Sequence, residues 1–287
     1  MRRILRIIIT AIIFNWTSAE DHRSSRQRRV VGSSQVSIFS HPYIASLRNP
    51  SNEHYCGGSI ISPWIILTAA HCLQNYPSET LTVKVGSDHI NTGGSLHRVS
   101  KKVLHENYQY RIQTNGRSYP VNDIGLLKLE SPIALDYSRA STIQLFQKNE
   151  QINEYSTGIV VGWGLEHGRN YAHDVALYLE EQSNIWKSFQ PTLHASKYLK
   201  AANLQIISRE TCSRVSGYEG LEDQICTYSP GKGSCLGDSG GPLVVSGRQA
   251  GIISWGEDCN NESAPGVYTE VAAFYDWIVH NMRILRD

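Results

Sequence analysis

The chain has 287 residues, 40% hydrophobic and 18% charged, which supports globular domains with their own cores and excludes disordered and fibrous proteins. Its formal net charge is +1, but residues 1–29 hold seven of the 27 basic side chains and only two of the 26 acidic ones, so the remainder is mildly acidic. A mildly acidic body argues against nucleic acids and anionic membranes as partners, because both are bound through basic surfaces.

The first 19 residues are typical of a secretory signal peptide. Arginines at positions 2, 3 and 6 precede an apolar run over 7–14, and small residues end at Ala19. The alternative is a membrane anchor, but this run is too short to span about 30 Å of hydrocarbon. We therefore expect cleavage after Ala19 and a secreted, extracellular product without a membrane partner.

A polar segment, residues 20–29, follows the leader and ends in the basic cluster Arg26-Gln27-Arg28-Arg29. A basic cluster of this kind is ordinarily a solvated linker. Here it stops abruptly before the β-branched pair Val30-Val31, which indicates a processing site.

All six cysteines lie beyond the leader. They are Cys56, Cys72, Cys212, Cys226, Cys235 and Cys259. An even number in a secreted chain favours disulfides, and the lack of a CxxC pair argues against zinc. Six cysteines allow fifteen pairings, so their spacing leaves the pairing open.

Short β-branched runs broken by Gly, Pro and Asn predict an all-β barrel or sandwich. The candidate strands are 59–61, 65–68, 81–85, 124–129, 159–161, 243–245 and 251–254. The end of the chain differs, because apolar residues recur there at helical spacing. These residues, which predict a closing amphipathic helix, are Val271, Phe274, Tyr275, Ile278 and Met282.

Three segments carry candidate catalytic residues: 68–72 with His71, 122–127 with Asp123, and 237–242 with Ser239. Each residue alone is more often structural. Together the segments resemble the three active-site signatures of the trypsin and chymotrypsin family of serine endopeptidases, in that family's His, Asp, Ser order. The resemblance extends from Val30 to the C-terminal helix.

The resemblance implies two six-stranded antiparallel β-barrels with the active site between them and a C-terminal α-helix. We expect the N-terminal barrel within 30–140 and the C-terminal barrel, with the helix, within 141–287. It also implies three disulfides, namely Cys56–Cys72, Cys212–Cys226 and Cys235–Cys259.

The chemistry expected of the three residues follows from their side chains. A serine hydroxyl is a poor nucleophile at neutral pH, so His71 takes the proton of Ser239 during attack and returns it to the leaving amine. Asp123 holds the imidazole tautomer, and the family resemblance implies that Ser254 donates a hydrogen bond to Asp123. The backbone amides of Gly237 and Ser239 form the oxyanion hole.

Asp238 has a separate task by the same resemblance. In the family, the carboxylate beside the nucleophile pairs with an α-amino group that proteolysis creates. The Arg29–Val30 bond is therefore the expected activation site, residues 20–29 a propeptide, and a furin-like convertase a suitable activating protease.

The expected specificity pocket contains glycine at three positions, Gly233, Gly256 and Gly266. Trypsin-like members carry an aspartate where Gly233 stands, and a buried cation without a counter-charge costs several kcal/mol. The open, uncharged slot therefore predicts cleavage after large apolar residues, as in chymotrypsin-like members. The alternative is specificity for Arg or Lys through Glu257 and Asp258 at the entrance.

Several further features are expected from the sequence. Trypsins bind calcium through two glutamates in the loop that here spans 87–94, and neither has a clear counterpart, so we expect no metal and no cofactor. Asn261 lies in a glycosylation sequon. An insertion over 171–194 is either a substrate-facing exosite or a transcript artefact, and a smaller enlargement over 110–121 precedes Asp123 and crowds the cleft.

The expected product is a monomeric endopeptidase that acts on proteins or peptides and is a target for protease inhibitors. The contrasting hypothesis is a catalytically silent homologue that acts as a binding protein, but such proteins usually lack one of the three residues retained here. An α/β-hydrolase esterase is disfavoured, because it requires the order Ser, Asp, His and a strand-to-helix elbow.

Overall fold

The computed structural model describes residues 33–114, 116–165, 195–256 and 264–286. The predicted leader, the propeptide with Arg29 and Val30, and the insertion over 171–194 lie outside these residues. So do Glu257, Asp258, Cys259 and the sequon at Asn261.

The described residues form mainly β-strands. In chain order these are β1 (Ser34–Gln35), β2 (Ile44–Arg48), β3 (His54–Ser62), β4 (Ile65–Thr68), β5 (Thr82–Val85), β6 (Ser95–Leu104), β7 (Gln109–Ile112), β8 (Ser118–Val121), β9 (Gly125–Leu129), β10 (Gln144–Leu145), β11 (Thr157–Gly162), β12 (Lys200–Ile207), β13 (Gln224–Tyr228), β14 (Pro242–Val245), β15 (Arg248–Gly256) and β16 (Gly266–Glu270). Two helices accompany them, α1 (Arg209–Ser216) and α2 (Tyr275–Ile284).

The first barrel closes in the order β2-β3-β4-β9-β6-β5, with antiparallel neighbours. Its interior is filled by aliphatic side chains that are fully buried. Among them are Ile60, Ile66, Leu67, Leu126 and Leu127. Burying each such side chain contributes about 1.5–3 kcal/mol, which offsets the entropy lost when short strands are ordered.

The second barrel follows the order β12-β11-β14-β15-β16-β13 and is closed by antiparallel pairing of β12 with β13. Two short strands attach to it: β1 pairs with β12, and β10 pairs in parallel with β15. Two six-stranded antiparallel barrels and a C-terminal helix confirm the predicted fold class.

The two helices differ in how well the sequence predicts them. Helix α2 is the predicted closing helix, and Phe274 and Ile278 pack into the core of the first barrel. Helix α1 was not predicted. It begins after Ser208, whose Oγ accepts a hydrogen bond from Thr211 N, and ends at Gly217, where φ is +71°. A serine cap and a left-handed glycine nine residues later are the sequence signals that mark such a short helix.

The barrel register brings two of the predicted catalytic segments together. Strands β4 and β9 are antiparallel, and Thr68 at the end of β4 lies opposite Gly125 at the start of β9. His71 is three residues after Thr68, and Asp123 is two residues before Gly125. Both therefore lie in loops at the same end of the first barrel. Within the described residues, no helix is both long and apolar enough to cross a membrane.

Candidate active site

His71 and Asp123 form a direct two-point contact. Asp123 Oδ2 accepts a hydrogen bond from His71 Nδ1 at 2.7 Å, and Oδ1 accepts one from the His71 backbone amide at 2.9 Å. Because an ionised carboxylate only accepts hydrogen bonds, Nδ1 carries a proton and Nε2 of the neutral ring keeps its lone pair.

Asp123 is fully buried and has further donors from the second barrel. Ser254 Oγ donates to Oδ2 at 2.5 Å, as expected from the sequence, and Thr269 Oγ1 donates to the backbone oxygen at 2.8 Å. Burial alone raises the pKa of a carboxylate, but the His71 charge and these hydrogen bonds outweigh it and lower the pKa of Asp123 below its usual value. The carboxylate is therefore ionised at neutral pH.

The same contact with Asp123 also shifts the pKa of His71. Burial opposes the charged ring, but the charge of Asp123 and its hydrogen bond to Nδ1 dominate and raise the pKa of His71 above 6.5. A base with a raised pKa accepts a proton from a hydroxyl more readily.

Ser239 lies on a tight turn held against the first barrel. Its backbone oxygen accepts a hydrogen bond from Gly57 N at 2.7 Å. The disulfide Cys56–Cys72 lies alongside, and Cys72 Sγ is 3.6 Å from both the Ser239 oxygen and His71 Nε2. Ser239 is therefore beside the imidazole ring. Its Oγ has no hydrogen-bond partner among the residues that the structure describes.

The turn around Ser239 requires glycine on both sides. Gly237 has φ +94° and Gly240 has φ +78°, a left-handed region that residues with a Cβ rarely adopt. In the described part of the chain, the amides of Gly237 and Ser239 donate to no acceptor. Both remain available to an oxygen that develops negative charge beside Ser239.

His54 holds this turn from behind and was not predicted from the sequence. Its Nε2 donates to the oxygen of Gly237 at 2.9 Å, and its Nδ1 accepts from Ser46 Oγ at 2.9 Å. Burial lowers the pKa of His54 to about 4, so the ring is neutral at physiological pH. A histidine two residues before Cys56 carries no sequence signal for this contact.

Asp238, the residue before Ser239, is buried and has fewer hydrogen-bond donors around its carboxylate than Asp123. Gly164 N donates to its Oδ1 at 2.7 Å and Cys235 N to its Oδ2 at 2.9 Å, but no ion pair forms with any described residue. Burial outweighs these two hydrogen bonds and raises the pKa of Asp238 to about 6. A small cavity adjoins the carboxylate and is lined also by Gly162, Lys200 and Ala201.

The three glycines of the predicted slot lie among the described residues. A Cβ at Gly233 would meet no atom within 4 Å. Gly256 and Gly266 are cross-strand partners of β15 and β16, and neither carries a side chain into the space between. Tyr268 lies beside Gly266, and its hydroxyl accepts a hydrogen bond from Thr227 Oγ1 at 3.1 Å. No charged side chain stands at these three glycine positions.

The loop over 87–94 does not fit a divalent cation. The carbonyl oxygens of His89, Ile90 and Thr92 converge, but Lys84 Nζ donates to all three at 2.9–3.0 Å. Ser87 Oγ also donates to two of them. A buried ammonium already uses the oxygens that a calcium ion would need and would repel it.

The remaining disulfides concern the second barrel. Cys212 and Cys226 are bonded and join α1 to β13. Cys235 is disulfide-bonded as well, and its predicted partner Cys259 lies outside the described residues.

Known proteins are similar to this chain in sequence and in fold. A family model described as Trypsin matches residues 30–278. Hypodermin-A of Hypoderma lineatum is 38% identical over 262 residues, which cover 90% of this chain and 89% of that protein. Trypsin epsilon of Drosophila erecta is 36% identical over 259 residues, with coverage of 89% and 88%. Among solved structures, neuropsin, a serine protease of mouse brain, gives a TM-score of 0.69 at 26% identity and covers 87% of this chain and 98% of its own.

Proposed function

The chain belongs to the trypsin family of serine endopeptidases, and we propose that it is a secreted enzyme, made as an inactive precursor, that cleaves peptide bonds after large apolar residues. The family confirms the resemblance predicted from the three motifs. The observation that carries the proposal is the buried Asp123 carboxylate bound to His71 beside Ser239. Protein or peptide substrates, an activating protease and protease inhibitors are the proposed partners of a monomer.

Catalysis follows from this geometry. Ser239 Oγ attacks the carbonyl carbon of the substrate while its proton passes to His71 Nε2. The tetrahedral intermediate expels the amine, which takes the proton from His71, and leaves an ester on Ser239. Water then attacks the ester, gives a proton to His71 and releases the acid, and His71 returns that proton to Ser239 Oγ.

Two groups of this chain stabilise charge during these steps. The amides of Gly237 and Ser239 donate to the oxyanion, and one such donor contributes about 3–4 kcal/mol to the rate in other proteases. Asp123 stabilises the imidazolium that forms when His71 takes the proton. Asp123 is held in place by its hydrogen bonds, and the two amides are held by the turn with glycines at 237 and 240. Neither has to move far as charge develops.

Activation involves Asp238. A buried carboxylate that lacks a cationic partner is unfavourable, and the raised pKa of Asp238 expresses this cost. Strand β1 pairs Ser34 with Ala201, and Ala201 lines the cavity beside Asp238. Val30 is four residues before Ser34, within about 13 Å of extended chain. Cleavage at Arg29 therefore supplies an ammonium group that can reach the carboxylate.

Specificity for large apolar side chains rests on Gly233. A Cβ at this position would meet open space, and glycine offers no counter-charge for a guanidinium or ammonium group. Burying a Phe or Leu side chain contributes about 1.5–3 kcal/mol. The competing specificity, for Arg or Lys through Glu257 and Asp258, is favoured by the naming of several relatives as trypsins.

Cleavage-site profiling of the activated protein on a peptide library tests this proposal. Cleavage after Phe, Tyr or Leu is expected to exceed cleavage after Arg or Lys at least tenfold, which corresponds to about 1.4 kcal/mol. Gly233→Asp is expected to shift the preference towards Arg and Lys. A preference for Arg in the unmodified enzyme that Asp258→Ala removes would assign specificity to the entrance acids instead.

A control variant distinguishes cleavage by this protein from cleavage by a contaminating protease. Ser239→Ala should abolish turnover and labelling by an organophosphonate probe while the fold is retained. Full activity in this variant would contradict the assignment of the nucleophile.

A further inference from the structure

Trp163 follows β11 and joins the two barrels through one backbone oxygen. Trp163 is 2% exposed, and its Nε1 donates to the oxygen of Asp88 at 3.0 Å. The same oxygen accepts a hydrogen bond from Leu199 N at 2.8 Å. Asp88 lies in the 87–94 loop, which connects β5 and β6 of the first barrel, whereas Trp163 and Leu199 belong to the second. The position of the indole therefore depends on this loop.

Lys84 fixes the 87–94 loop. Its Nζ donates to three carbonyl oxygens of the loop, those of His89, Ile90 and Thr92. The side chain of Ile90 is also buried in the same apolar cluster as Trp163. An ammonium that satisfies three carbonyls holds in one conformation a loop that contains no helix or strand. The oxygen that Trp163 contacts is therefore held in a defined place.

The ring of Trp163 supports the nucleophile turn through His54. The centroids of the two rings are 5.7 Å apart at an interplanar angle of 68°, which is an edge-to-face contact. His54 Nε2 in turn donates to the oxygen of Gly237 at 2.9 Å. A shift of the indole is therefore transmitted to the imidazole that holds Gly237.

The backbone after Trp163 makes a second contact with this turn. Gly164 N donates to Asp238 Oδ1 at 2.7 Å, and Leu165 N donates to the oxygen of Leu236 at 2.9 Å. A Cβ at Gly164 would overlap the Asp238 carboxylate, so the two segments are already in close contact. Asp238 stands between the two residues whose amides form the proposed oxyanion hole. Trp163 is therefore adjacent to two supports of that hole.

We propose that Trp163 is a positioning residue for the oxyanion hole: its hydrogen bond to the loop fixes His54 and Gly164, and these two hold the turn that carries the oxyanion amides. This inference rests on the proposed endopeptidase activity and deepens it. Trp163 acts only through other residues, so it is not a catalytic residue. Because negative charge on the oxygen develops only towards the transition state, displaced amides lower kcat and leave KM unchanged.

Trp163→Phe tests this role, since it removes the N–H donor and keeps an aromatic ring beside His54. In the activated enzyme, with active sites titrated by the organophosphonate, kcat for the amide of a Phe peptide should fall about tenfold while KM stays within about twofold. Loss of a complete oxyanion donor costs about 10²–10³ in kcat, and a displaced donor costs less. A peptide boronic acid, which forms a tetrahedral adduct with Ser239, should bind more weakly by about the same factor.

Lys84→Met tests the part played by the loop. It removes the ammonium that holds the loop and should lower kcat by a comparable factor at unchanged KM. The double variant Trp163→Phe, Lys84→Met should be no slower than the slower single variant, because both changes break the same connection. If Trp163→Phe gives no titratable enzyme, the same measurements on Lys84→Met decide the inference.

Two matched variants control for indirect effects. Trp277 Nε1 donates to Glu106 Oε2 at 2.9 Å, so Trp277→Phe removes the same kind of hydrogen bond in a contact that does not involve the nucleophile turn. Lys101→Met removes an exposed lysine. Both variants should keep kcat, KM and the affinity for the boronic acid within about twofold of the unmodified enzyme.

The outcomes separate this inference from the proposed function. If kcat and the affinity for the boronic acid both stay within twofold in Trp163→Phe, the role of Trp163 is overturned, and the endopeptidase assignment stands because the unmodified enzyme still cleaves the peptide. A rise in KM alone, an equal loss in Trp277→Phe or independent losses that multiply in the double variant also overturn it. Failure of the activated, unmodified enzyme to cleave any peptide overturns both proposals.

Discussion

Asp123 and Asp238 are both buried near Ser239, with exposures of 0% and 5%, but the pKa values of their carboxylates are shifted in opposite directions. Asp123 faces an imidazole and a hydroxyl, and its pKa is lowered. Asp238 faces two backbone amides, and its pKa is raised to about 6. Burial alone therefore does not decide the ionisation of a carboxylate. The deciding factor is whether a group that can carry positive charge faces it.

This difference separates two halves of the candidate site. The half that orients His71 is formed in the described residues, because Asp123 contacts both His71 and Ser254 there. Under the proposed activation, the half that shapes the nucleophile turn gains its cationic partner only when the Arg29–Val30 bond is cut. A precursor built in this way has a formed base, while the turn that carries the two proposed oxyanion amides lacks its ionic partner.

The largest expected effect comes from removing the charge of Asp123. Asp123→Asn should lower kcat about 10⁴-fold at pH 8, because the amide no longer fixes the tautomer or stabilises the imidazolium. Steady-state kinetics on a Phe peptide measure the loss. In the unmodified enzyme, kcat/KM should rise with pH with a midpoint above 6.5, since the pKa of His71 is raised. Activity of Asp123→Asn within tenfold of the unmodified enzyme would contradict the role of Asp123.

A smaller loss is expected for Asp238. Asp238→Asn should still be cut at Arg29, as N-terminal sequencing would detect, but kcat should fall at least 100-fold because the turn that carries an oxyanion donor is no longer held. Arg29→Gln should give an uncut precursor with a comparable loss. Equal activity before and after processing of the unmodified chain would refute the activation mechanism.

The raised pKa of Asp238 also predicts a pH effect on precursor stability. Between pH 3.8 and about 6 the folded precursor binds more protons at this site than the unfolded chain, so its free energy of unfolding falls as pH rises through this window. The shift corresponds to up to about 3 kcal/mol. Other groups titrate there too, so the measured quantity is the difference between Arg29→Gln and the double variant Arg29→Gln, Asp238→Asn.

The double variant should gain stability relative to Arg29→Gln as pH rises from 4 to 7, in denaturant titrations at each pH. In the processed protein this gain should disappear, because the Val30 ammonium then stabilises the ionised carboxylate. A difference that does not change with pH in the precursor would show that the pKa of Asp238 is not raised before cleavage and would contradict this prediction.

Lys84 is a buried cation and can be compared with the two buried carboxylates. Lys84→Met should lower the free energy of unfolding by about 1–3 kcal/mol at pH 7, because carbonyl oxygens of the 87–94 loop lose a donor. Calcium should not restore the loss, and it should not stabilise the unmodified protein. The exposed Lys101→Met is the matched control and should change stability by less than about 0.5 kcal/mol. Stabilisation of the unmodified protein by millimolar calcium would contradict the assignment of this loop to Lys84.

The sequence predicts the elements whose signals are local. Strand β4 is predicted with its observed bounds, because Ile65–Thr68 is a continuous β-branched and apolar run that is buried on both faces. Helix α2 is predicted because its apolar residues recur at helical spacing over more than two turns. Helix α1 was missed because it has only eight residues and its sequence is mostly polar.

The candidate site divides in the same way. Short local motifs contain His71, Asp123 and Ser239, so each can be recognised from its neighbours in sequence. Gly233 is predicted from its spacing to Ser239 along the chain. His54 and Lys84 carry no such pattern. His54 contacts Gly237, which is distant in sequence, and Lys84 contacts three carbonyls of the 87–94 loop.

The sequence by itself determined the family, the barrel fold and the chemical types of the reacting groups, because these depend on residue identity at fixed spacing along the chain. Only the tertiary structure decided the direction of the pKa shift of each buried carboxylate and the fit of the 87–94 loop to the Lys84 ammonium. It also decided the packing of Tyr119, on the β7–β8 hairpin, against Trp255. Those properties depend on which atoms face one another across the fold. The energy of a buried charge is set by partners within a few ångströms, whatever their separation in sequence.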